Sequence, residues 1–168
     1  MPRRSMARLA VAKPVPALRS HFVRMDKASH PDAQKLLSYW RACVARGGFA
    51  MGRDIPARAI AAILRNLAIC EPLADGSDMR MRLAGDGFRR RFDEQVKGRL
   101  LSELFPPEDF AHHLDASLRV LRTGEPIIID SCLMRANVVE LRLEVVVLAL
   151  TAPDLVSRWL LVGLFYFD

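Results

Sequence analysis

Two adjacent histidines, three consecutive arginines, three separated cysteines and two pairs of acids are the side chains of this sequence most able to do chemistry. His112 and His113 lie inside an amphipathic run in which Phe110, Leu114, Leu118 and Leu121 share one face at about 100° per residue. His113 flanks that face beside Ser117, whereas His112 points away with Asp115, Arg119 and Arg122. Arg89, Arg90 and Arg91 crowd a short segment between Phe88 and Phe92, which reads either as a solvated charged face or as a site for an anionic ligand or partner. Cys43, Cys70 and Cys132 are odd in number and far apart, neither a disulfide framework nor a metal-binding spacing; they read as buried thiols in a reducing cytoplasm. Catalysis would need a nucleophile with a base in reach, or convergent carboxylates. Glu108 with Asp109 reads instead as acid in the first turn of a helix, and Glu140 with Glu144 as a solvated strand face. Gly85-Asp86-Gly87 lacks the third glycine and the following Lys-Ser/Thr of phosphate loops. No His-x-x-Glu-His or Cys-x-x-Cys pattern offers a metal site. No catalytic residue and no metal ligand is expected, so the chain does not read as an enzyme.

The elements that would position these groups are legible from periodicity. Glu140 to Val145 alternates polar and apolar, and Val146 and Leu148 then fill the polar face, which marks a strand. Trp159 to Phe167 is apolar on both faces and belongs in the middle of a covered sheet. His30-Pro31-Asp32 opens a helix whose apolar residues Ala33, Leu36, Leu37, Trp40, Cys43 and Val44 recur at helical spacing until Gly47-Gly48 stops it. Asp54-Ile55-Pro56 opens a shorter helix carrying Ile60, Ile63 and Leu64. Leu67 to Leu73 and Met79 to Ala84 read as two strands around a turn at Ala74 to Asp78. A short helix at Phe88 to Phe92, an apolar knot at Leu100 to Phe105 and a clear helix from Pro106 to Gly124 complete the connection to three final strands.

Composition bounds the rest. The chain has 168 residues and is 51% hydrophobic, enough for the core of one domain. No apolar run approaches the ~18 residues of a membrane span. The net charge of +6 resides in the first 29 residues, where Arg3, Arg4, Arg8, Lys13, Arg19, Arg24 and Lys27 face Asp26 alone; the remainder is balanced. A nucleic-acid-binding domain is therefore not expected. Residues 1–29 read as a basic, disordered tail, as translated sequence upstream of a start at Met25, or as an arm for nucleic acid or a membrane surface. Residues 30–168 read as the single domain.

The order of elements predicts an α+β fold: an antiparallel five-stranded sheet with connector helices on one face and the N-terminal helix on the other. Several strings occur in order. They are His30-Pro31 with Leu36-Leu37-Ser38-Tyr39-Trp40, then Asp54-Ile55-Pro56, Arg80-Met81-Arg82-Leu83-Ala84-Gly85 and Lys97-Gly98-Arg99-Leu100-Leu101-Ser102-Glu103-Leu104. In these the chain resembles the single-domain, stand-alone PAS proteins of alphaproteobacteria over about residues 30–168. The resemblance implies a cytoplasmic sensory or interaction module, often dimeric, with no shared reaction and no fixed ligand.

On this reading a small ligand or a protein partner binds between the sheet and the connector helices, at a pocket drawn from Arg82, Phe88, Phe92, Leu104, Phe110, His113, Leu114 and Ser117. The N-terminal helix then reports binding. A ligand-free interaction protein is the alternative. A heme sensor is the third reading, because heme-binding PAS domains supply an axial histidine from the long connector helix, where His113 sits. Flavin is not indicated, since nothing matches the Asn-Cys-Arg-Phe-Leu-Gln motif of light-sensing relatives. No cofactor is the default. The stripe of Leu36, Leu37, Trp40 and Val44 is wider than one neighbour needs and predicts a homodimer interface.

Overall fold

The computed structural model describes residues 18–168. Six strands form one antiparallel sheet in the order β1-β4-β5-β6-β2-β3. They are β1 (Arg19–Met25), β2 (Leu67–Pro72), β3 (Met79–Ala84), β4 (Ile127–Arg135), β5 (Val138–Thr151) and β6 (Arg158–Phe167). As the two-sided apolarity of β6 requires, it lies inside the sheet, between β5 and β2. The long β5 pairs with β4 on one side and β6 on the other.

The first helix, α1 (Pro31–Ala45), lies on one face with the 3-10 helix Arg58–Asn66, which is interrupted at Ile60, where the backbone leaves helical geometry. His30 caps α1 through its side chain, which accepts from the Asp32 N–H at 3.1 Å. Ala33, Leu36, Leu37, Trp40 and Cys43 pack on Val146, Leu148, Leu150, Leu161 and Phe165. The Trp40 indole N–H donates to the Ala149 carbonyl at 3.0 Å, which satisfies its one polar atom against the sheet. Close approach depends on Gly163: a β-carbon there would fall 2.6 Å from the Phe165 ring and 3.2 Å from Leu36 Cδ2.

Helices α2 (Phe88–Phe92), α3 (Leu101–Leu104) and α4 (Pro107–Thr123) cover the opposite face. Glu108 and Asp109 occupy the first turn of α4, and Gly124 ends it at φ 72°. Side chains at alternate positions of β5 therefore enter two separate cores. Leu143, Val145 and Val147 face the connector helices, and Val146, Leu148 and Leu150 face α1.

Three expectations need correction. The sheet has six strands because residues 19–25, expected within a disordered tail, pair in register with Met134 to Ile128 of β4. The open edge of β4 supplies the partner, and the inward Phe22 supplies the apolar contact; residues 1–17 of the expected tail lie outside the described residues. Glu144 is not solvated but 1% exposed. Its carboxylate accepts from the Ser29 N–H at 3.0 and 3.1 Å, the Ser29 hydroxyl at 2.9 Å and the His30 N–H at 3.1 Å. Finally, the α1 stripe expected to pair two chains is spent within one. Leu36, Leu37 and Trp40 are buried against the sheet, which leaves Val44 alone of the four exposed, at 44%.

Candidate functional site

Between the sheet and α2, α3 and α4 lies a partly enclosed cavity of about 60 Å³. Its floor is Leu143, Val145, Val147, Val162, Leu164 and Ser131; Phe88, Arg91, Phe92, Leu101, Leu104 and Phe105 line one side. His113, Ala116 and Ser117 reach it from α4, and Phe22 from β1. Phe88, Phe92, Leu104, His113 and Ser117, all expected at a ligand pocket, line this cavity.

The other three predicted wall residues do not. Phe110 and Leu114 pack in the same core beside the cavity without lining it. Arg82 follows Met81 on β3, so strand alternation sends it to the opposite face. There it pairs with Glu71 at 3.2 Å and lies over the Trp159 ring. Its place in the cavity is taken by Arg91, which the triple-arginine string contained without distinguishing. Arg90 is committed elsewhere, paired with Asp168 at 2.8 Å over the Tyr166 ring, and Arg89 is exposed.

Two polar groups give the cavity its character. The ring of His113 packs on Phe22, with centroids 4.8 Å apart, and on Phe105, at 4.2 Å. Its Nε2 is buried and has no hydrogen-bond partner. An orphan of this kind costs about 1–3 kcal/mol in desolvation. Burial, with Arg91 and His112 nearby, lowers the imidazole from 6.5 to about 4, so it is neutral near pH 7. The half-buried Arg91 guanidinium lies over Phe92 at 4.9 Å and Phe105 at 5.4 Å. Burial lowers its pKa and the Asp109 carboxylate opposes this, yet no carboxylate reaches ion-pairing distance of it among the described residues. Cys70 also lines the wall, but burial raises its thiol to about 12 and it contacts Met81 Sδ at 3.2 Å. It stays a protonated, inert thiol. His112 is exposed, as expected.

Capacity decides which occupants fit. About 60 Å³ is less than half of the ~150 Å³ of an engineered cavity that takes benzene, room for a few waters or a molecule of a few heavy atoms. A heme macrocycle is several times larger, and the His113 ring is already held between two aromatic rings. The residues present do not fit heme. Among the described residues no cluster of three or more His, Cys, Asp or Glu is placed to hold a metal. No described helix is long and apolar enough to cross a membrane.

The profile of a family described as PAS domain matches residues 28–164. No curated protein and no solved structure gives a significant match to the chain.

Proposed function

The chain belongs to the PAS-domain family, and on that premise we propose that it is a sensory signalling module that takes a small ligand into the cavity beneath α4. The observation that carries this reading is the cavity's composition. Protein interiors are packed to crystal-like density with few voids, yet here a small, largely apolar space adjoins an orphaned imidazole nitrogen and a cation with no ion-paired acid among the described residues.

Occupancy of the cavity is reported at α1. On β5, Val145 and Val147 face the cavity, and Glu144 between Asp130 and Ser29 faces away, holding the Ser29 and His30 N–H groups that lead into α1. A second route runs through β6. The Tyr166 hydroxyl donates to Gly87 at the start of α2 at 2.6 Å, and its carbonyl lies 3.1 Å from His30 Nε2. Because His30 Nδ1 accepts from Asp32, Nε2 carries the proton and donates. A ligand shifts such a module only by its differential affinity for two conformations. Contacts to Val145, Val147 and α2 supply that difference, and the first turn of α1 presents the change to a signalling partner.

Toluene tests the cavity, being apolar and uncharged and larger than the empty space, so that its entry requires the connector helices to move. It should raise the melting temperature of the full chain in proportion to the logarithm of its concentration. Ala116→Phe, which fills the space from α4, should abolish the gain while keeping the circular dichroism spectrum. No gain in the unmodified protein would make the cavity a packing void and favour a ligand-free interaction protein.

A further inference from the structure

We propose that the cavity selects a small monocarboxylate with an apolar body, its carboxylate held by Arg91 and His113. This rests on the cavity being the ligand site proposed above. Phe105 joins the two groups, with the Arg91 guanidinium 5.4 Å from its ring centroid and the His113 ring 4.2 Å from it. A single anion beside Phe105 is thus near both.

The chemistry of the lining narrows the class. Arg91 is half-buried, lies on two aromatic rings and has no anionic partner among the described residues. A guanidinium is always charged and offers a planar fork that matches a carboxylate. His113 adds one buried nitrogen without a partner; in the tautomer protonated at Nε2 it donates to the second lone pair of the same anion. One positive charge and one neutral donor suit a single negative charge. A phosphate or sulfate dianion would enter a largely apolar space with half its charge uncompensated. The remaining wall is mostly Phe, Leu, Val and Met, with Cys70, Ala116 and two serines, and it requires an apolar body rather than a free inorganic ion. The empty space admits a short alkyl chain, and a benzene-sized ring where the connector helices give way. Ser117 and Ser131 are buried at the wall and add hydroxyls that a carboxylate oxygen can meet.

Benzoate and benzyl alcohol separate this claim from the cavity itself, since they share ring and size and differ in charge. Calorimetric titration of the full chain near pH 7 should show benzoate binding at least tenfold more tightly than benzyl alcohol. Arg91→Gln should remove that preference and keep benzyl alcohol binding. His113→Phe should weaken benzoate more than benzyl alcohol, with circular dichroism confirming that both variants fold. Equal binding of the two probes, or a benzoate preference that survives Arg91→Gln, would overturn the carboxylate claim and leave the ligand site standing. Failure of both probes overturns it too, and toluene then decides whether the cavity accepts any ligand.

Discussion

Replacing His113 with Phe should stabilise the empty protein, and more so in mild acid. The folded imidazole titrates at about 4 against 6.5 when free, chiefly through burial. Below pH 6.5 the unfolded chain binds a proton at this residue that the folded chain does not. Folding stability therefore falls as pH drops through the interval from 6.5 to about 4. At pH 5 the deficit is roughly 2 kcal/mol, from about 1.5 pH units at ~1.36 kcal/mol each. The orphaned Nε2 adds about 1 kcal/mol at either pH, the low end of the range because the new ring must still fit between Phe22 and Phe105. Urea unfolding should thus show His113→Phe ahead by about 1 kcal/mol at pH 7 and about 3 kcal/mol at pH 5, read from midpoint shifts at constant slope. Titration of every other group is common to both proteins and cancels in the comparison. Equal loss of stability by both between pH 7 and pH 5 would refute the buried, neutral histidine.

Four further outcomes follow from the corrected contacts. Glu144→Ala should cost about 2–4 kcal/mol in chemical unfolding, because it leaves the Ser29 and His30 N–H groups without their charged acceptor. A chain begun at Met25 lacks Phe22 and most of β1, which removes about 2 kcal/mol of burial; its melting temperature should fall by at least about 5 °C and toluene should bind less well. Leu37→Glu buries an uncompensated charge at a position 2% exposed and should prevent folding as judged by circular dichroism. Val44→Glu, on the exposed side of the same helix, should change stability by no more than about 0.5 kcal/mol.

How far the sequence revealed the molecule depended on whether a pattern was local. The heptad-like spacing of α1, the face of α4 from Phe110 to Leu121 and the alternation of β5 are set by neighbours a few residues away, and each became the element expected. β1 carries one inward aromatic, Phe22, among polar and basic residues, so its pairing is decided by the edge of β4 more than a hundred residues later. Glu144 continued the polar alternation of Glu140 and Arg142, and only the arrival of Ser29 and His30 over that end of the strand buries it. The breadth of the α1 stripe was legible; that the sheet and the Arg58–Asn66 helix would cover nearly all of it was not. Five of the eight residues expected at the pocket line the cavity. Arg91 could not be told from Arg89 and Arg90, because a five-residue helix has too little periodicity to fix which arginine turns inward.

The claim that cavity and α1 communicate is tested most directly by amide hydrogen exchange on the full chain with and without saturating toluene. The Ser29 and His30 amides, held by Glu144 on the far side of β5 from the ligand, should change protection together with those of α2 and α4, while the Gly47 and Gly48 amides at the other end of α1 stay unchanged. Changes confined to α2 and α4, with Ser29 and His30 unaffected, would contradict it.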